Sequence, residues 1–106
     1  MPEKPSLDTI KKIASGDNKF EKRLLSIIRR ELPQEIEQLN KNFAAFNYIK
    51  AAENVHKLNH KINIFGLEEG SKTAVKFENE LRSGNCEMKS EFEAILEEMT
   101  RFINTL

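Results

Sequence analysis

The chain has 106 residues, and its 17 Lys plus Arg balance 17 Asp plus Glu, for a formal net charge of zero at pH 7. That length suits one domain, residues 1–106, with its own core and is too short for two. Neutral charge argues against a general nucleic-acid or anionic-membrane binder, which carries a visible basic excess.

Strand-like alternation is missing, and apolar residues recur instead at helical spacing. Leu7, Ile10 and Ile13 give a short first helix, with Ser6 as its cap and Gly16 as its stop. Asp17 then caps a long second helix, where Phe20, Leu24, Ile27, Ile28, Leu32, Ile36, Leu39, Phe43 and Phe46 keep one apolar stripe. Pro33 lies inside it. An interior proline removes a backbone hydrogen bond and costs about 3 kcal/mol. The stripe stays in phase across Pro33, which predicts a kinked but continuous helix. Asn47 starts the third helix, with Tyr48, Ala51, Ala52, Val55, Leu58 and Ile62 facing inward and Gly66 near its end.

The fourth helix carries Leu67, Gly70, Ala74, Phe77 and Leu81 on its inner face. Gly70 permits close approach of a neighbour there, at about 1 kcal/mol relative to Ala. Gly84 and Asn85 break the chain, and Phe92, Ile95, Leu96, Met99, Phe102, Ile103 and Leu106 mark the last helix. Short connections imply antiparallel neighbours. The expected fold is all-α: an antiparallel four-helix up-and-down bundle with a short extra N-terminal helix across one end. Charged residues such as Lys72, Lys76, Glu80, Glu87 and Glu91 read as solvated faces.

A single cysteine, Cys86, excludes an internal disulfide and fits a reducing compartment. It has no histidine near it in sequence to activate it. The start, MPEKPSLDTI, lacks an apolar signal core, and no run reaches membrane-spanning length. A soluble, cytoplasmic monomer is expected. Met1 and the complete set of helices are compatible with a chain that works alone.

The stretch Val55-His56-Lys57-Leu58-Asn59-His60, closed by Phe65-Gly66-Leu67, is where chemistry concentrates. At about 100° per residue with Val55 as zero, Tyr48, Ala52, Leu58 and Ile62 fall within about 60° of the core direction. His56 lies near ~100°, at the border, with Asn59 and Asn63 beside it; Glu53 and His60 stand about 140–160° out. Lys50, Lys57 and Lys61 share an exposed stripe at roughly 200–240°. Ile49 and Ile64 project outward as a candidate docking rim. A ring held on one side by core and wet on the other is available for attack on a phosphoryl group, and nearby lysines attract anionic partners.

Two other readings stand beside this one. A border histidine on an amphipathic helix is most often a plain surface residue. His56 and His60 are also spaced i, i+4, which lets two rings grip one metal ion with Glu53 one turn back, although two histidines and a carboxylate make an incomplete site. Phosphate-cradling Gly loops, nucleophile elbows and kinase ATP motifs are absent.

The pattern resembles the histidine phosphotransfer (HPt) domains of bacterial multistep phosphorelays. Their third-helix motif, H-x-L-K-G-[S/A] with a glycine further on, is matched here by His56, Leu58 and Gly66, with Val55 ahead. The upstream run Leu7-Asp8, Ile10, Ile13, Gly16-Asp17 and Phe20 is similar to the family's, as is Glu31-Leu32-Pro33 in the long helix. Asn59 departs from the usual Lys, His60 from Gly, and Lys61 from Ser or Ala.

The resemblance implies a phosphoryl carrier without turnover of its own. A receiver aspartate would load His56 and a second receiver would unload it, in a relay fed by a hybrid histidine kinase. No cofactor or metal of its own is implied, since Mg²⁺ would sit on the receiver. Asn59, His60 and Asn63 would orient the ring or touch the phosphate. Lys57, Lys61, Ile49, Ile10 and Ile13 would serve docking or electrostatics, while Phe20 belongs more naturally to the core. A bundle that binds a receiver without transfer is the alternative, because Asn59 supplies no charge and His60 adds bulk at the docking point.

Overall fold

The computed structural model describes residues 3–106. Five helices follow one another with no strand among the described residues: α1 Asp8–Ala14, α2 Asn18–Ala44, α3 Tyr48–Ile64, α4 Glu68–Arg82 and α5 Lys89–Asn104. Two starts are fixed by side chains that satisfy otherwise unpaired backbone donors. The Asp17 carboxylate accepts from the Phe20 N–H at 3.1 Å, and the Asn47 side-chain oxygen accepts from the Lys50 N–H at 3.3 Å. Ser6 does not cap α1. That helix starts after Leu7 without a side-chain cap, and the Ser6 N–H instead donates to the Phe65 carbonyl at 3.0 Å, tying the N-terminal segment to the α3–α4 turn.

α2 runs unbroken past Pro33, which faces solvent while Leu32 beside it is buried. The missing N–H therefore falls on the wet side of the helix, where water can serve the freed carbonyl. The helix stops at Ala44, short of Phe46, whose φ of 55° turns the chain and leaves its ring 80% exposed.

Pairs of contacts set the topology. Asn42 meets Asn54 while Glu35 meets Lys61, so numbers rise along α3 as they fall along α2. His56 faces Glu78 and Ile62 faces Gly70, which makes α3 and α4 antiparallel. Phe77 packs on Phe92 and Glu80 holds the Met88 N–H, reversing α5 against α4. Lys89 lies over the Phe43 ring and Arg29 binds the Ile103 carbonyl at 3.0 Å, closing α5 back on α2. The expected up-and-down bundle is the observed one.

Glu80 is thus not a solvated charge: it accepts from the Met88 backbone and fixes the start of α5. Phe65, Phe77, Phe92, Leu58, Ile62 and Met99 form the centre of the core with no exposure. Gly70 sits where a Cβ would lie 3.3 Å from Leu67 and 3.4 Å from Ile62, so its lack of a side chain lets α4 press on α3. Phe20, expected in the core, is 43% exposed. The reason is reach: Arg29 already binds the carbonyl of Leu106 at 3.2 Å, so α5 ends more than two turns short of Phe20. Leu106 itself lies beyond α5 and is exposed. No helix is long and apolar enough to cross a membrane.

Candidate functional site

α3 carries the site because its inner face is fully committed. Ala51, Ala52, Val55, Leu58 and Ile62 are buried without residue. With that stripe fixed inward, the helical step leaves His56 at the seam between α3 and α4, with its side chain 60% exposed. Nδ1 of His56 lies 3.1 Å from Oε1 of Glu78, a carboxylate on α4 that is only 17% exposed. The other oxygen of Glu78 takes a hydrogen bond from Arg82 Nη2 at 3.2 Å, one turn further along α4.

An ionised carboxylate only accepts, so Nδ1 carries the hydrogen in this pair, and in the neutral ring Nε2 keeps its lone pair. The ring is held by one nitrogen and open at the other. That is the arrangement a histidine nucleophile needs: a fixed tautomer, a fixed ring plane and an exposed attacking atom.

No sequence motif links Glu78 and Arg82 to His56. A signal for Glu78 was present. Folding α3 and α4 back on each other about the Gly66-Leu67 turn brings together residues equally far from Leu67, which His56 and Glu78 are.

His60 stands one turn along from His56, exposed, with its ring edge-on to the His56 ring at a centroid distance of 5.1 Å and 66° between planes. Asn59 is half-buried, and its Oδ1 is buried without a hydrogen-bond partner. Asn63 is exposed and contributes its backbone carbonyl to the Gly66 N–H at 3.0 Å, ending the helix.

The expected docking and electrostatic residues divide. Ile13 and Ile49 are 52% and 53% exposed, and Ile49 lies two turns before His56 on the same stripe. Ile10 is wholly buried, packed in the core, so it presents nothing to a partner. Ile64 is half-buried against the same core rather than outward.

Lys57 is exposed but borders a polar depression with Gln34, Glu35, Lys41 and Asn54, on the α2 side of α3 and away from Glu78. Lys61 overturns the expected exposed stripe. It is 8% exposed, and Nζ binds Glu35 at 2.8 Å and Glu31 at 3.2 Å, both from α2. The long α2 passes over that face of α3, and two of its carboxylates draw the ammonium inward.

An apolar cleft of about 440 Å³ among α2, α4 and α5, walled by Leu39, Phe43, Phe77, Phe92 and Leu96, does not include His56. The candidate nucleophile stands on an open helical surface, which suits a macromolecular donor that brings its own pocket. Among the described residues no group of three or more His, Cys, Asp or Glu side chains is placed to hold a metal ion, so the His56–His60 pair lacks a third ligand.

Comparison with known protein families gives a match over residues 23–105 to the model described as Hpt domain. The matched stretch takes in most of α2 and all of α3, α4 and α5, leaving α1 outside. No curated protein and no solved structure shows significant similarity to the chain.

Proposed function

The chain belongs to the Hpt domain family, whose members are phosphocarrier modules of two-component signalling, and from that premise we propose that His56 is its phosphoacceptor. The observation that carries this reading is the His56–Glu78 pair, which sets Nδ1–H on a carboxylate and leaves Nε2 free on a side chain that is 60% exposed. The donor is the acyl phosphate of a receiver domain's aspartate. The Nε2 lone pair attacks phosphorus, the P–O bond to the aspartate breaks, and the aspartate leaves as a carboxylate. His56 then holds an N–P bond at Nε2 and keeps its hydrogen at Nδ1. The ring has gained positive character in the step, and Glu78 faces that charge at 3.1 Å.

Transfer onward to a second receiver reverses these steps. The receiver supplies the Mg²⁺ and most of the charge stabilisation, because phosphoryl transfer depends chiefly on alignment and electrostatics. This chain supplies a rigid, presented imidazole. Ile49 and Ile13 contribute exposed apolar surface to docking, and a hybrid kinase supplies the first receiver. The chain works in the cytoplasm, where two-component relays run.

The test is transfer from a receiver carrying radiolabelled phospho-aspartate. The wild type is expected to take up label that is lost in acid and kept in alkali. His56→Gln is expected to take up none while keeping its helical content and thermal midpoint, since a side chain 60% exposed carries little core energy. Label on His56→Gln at the wild-type level would remove the assignment.

A further inference from the structure

A phosphoryl group on Nε2 adds negative charge and three acceptor oxygens to a site whose nearest charged group, Glu78, is itself an acid. A neighbouring protein donor would hold those oxygens more firmly than water does. Asn59, one turn on, is half-buried with its oxygen enclosed, and its amide nitrogen is a neutral donor on a less open residue than His60. Lys61 is buried and bound to Glu31 and Glu35. Lys57 borders the α2 side. Arg82 is held by Glu78 on the Nδ1 side of the ring.

His60 differs from all of these. Its ring is exposed, lies 5.1 Å from the His56 ring centre to centre, and has no hydrogen-bond partner among the described residues. The Cα–Cβ bonds of a helix tilt toward its N-terminus, so a side chain four residues on leans back over the earlier one. His60 therefore leans toward His56 and not away from it.

We propose that His60 is the phosphoryl-binding residue of this site, donating a ring N–H to an oxygen of the phosphoryl group on His56 Nε2. This rests on His56 being the acceptor and goes beyond it by assigning the group that holds the phosphoryl once it is there. Either tautomer of a neutral imidazole has one N–H to give, and the edge-on packing needs only a side-chain rotation to aim it. A hydrogen bond to a charged oxygen is among the stronger ones, so its loss shortens the life of the phosphorylated form. His60 then does by hydrogen bonding, from one turn away, what a cation at position 59 would do by charge.

Four proteins decide it: wild type, His60→Gln, which keeps an N–H donor, His60→Phe, which keeps the ring's bulk, and His56→Gln. Each is loaded with phosphoramidate, freed of donor, and followed by the decay of acid-labile phosphate. Wild type and His60→Gln are expected to decay within about threefold of one another, and His60→Phe about tenfold faster. A His60→Phe lifetime equal to wild type would show that ring bulk suffices and would overturn the proposal, as would a His60→Gln lifetime as short as that of His60→Phe. Wild type and His56→Gln loading equally would instead defeat the assignment of His56 beneath it. Phosphate found on His60 itself would make that residue an acceptor and overturn its binding role.

Discussion

α3 makes two contacts with carboxylates five residues apart, and they are opposites. On the α4 side, His56 meets Glu78 with the ring mostly in solvent. On the α2 side, Lys61 meets Glu31 and Glu35 with its ammonium almost fully enclosed. The enclosed cluster uses its polar atoms to hold two helices in register. The open pair uses one atom of the histidine for the protein and leaves the other unspent. Burial therefore separates the two: the Lys61 ion pair, shut off from water, is an element of the fold, while the half-open His56–Glu78 hydrogen bond leaves a ring nitrogen for chemistry.

That contrast is broken most forcefully at Lys61. Lys61→Met keeps the length of the side chain but strands Glu35, one of whose oxygens is already buried without a partner. The expected cost is on the order of 3 kcal/mol, read as a drop in the urea midpoint with little change in slope. Phosphoryl uptake per folded molecule is expected to stay at the wild-type level. A variant as stable as wild type would mean that the cluster contributes no net stability. Glu31→Gln is expected to cost less than Lys61→Met, because Glu31 is 44% exposed and Glu35 still answers the lysine.

The reverse outcome is expected on the other side of the helix. Glu78→Ala frees the His56 ring from its tautomer and its plane, and transfer from a labelled receiver is expected to slow about tenfold, the value of one charge-assisted hydrogen bond. Stability is expected to change little, since the bond lies at the surface. Glu78→Gln keeps an acceptor for Nδ1–H and is expected to recover part of the rate. Equal rates for Ala, Gln and wild type would show that the carboxylate does not position the ring.

The bundle was legible because its signals are local. Apolar spacing, the caps Asp17 and Asn47, and the breaks at Gly16 and Gly84 act within a few residues of where they stand. Pro33 was readable as an interruption that the stripe survives. Residues whose environment depends on a second helix were not. Lys61 looked exposed because the arc of α3 alone cannot show that α2 lies over it with two carboxylates. Phe20 looked buried because periodicity marks a face but not how far the opposing helix extends. Ile10, offered as docking surface, is core for the complementary reason, that α1 lays its inner side against the bundle.

His56 was found from its border position and from a family motif, while its partner Glu78 needed the antiparallel register of α3 and α4. Lys61, which stands where the motif has a small residue, is received by Glu31 and Glu35.

The central claim is that the protein accepts a phosphoryl group at one atom, Nε2 of His56. Proton–nitrogen correlation spectra of the imidazole groups, recorded on ¹⁵N-labelled protein before and after loading with phosphoramidate, test it directly. The expected result is phosphorus coupling at Nε2 of His56, with the hydrogen at Nδ1 retained and His60 unmodified. Phosphorus coupling at Nδ1 of His56, or on His60 alone, would contradict it.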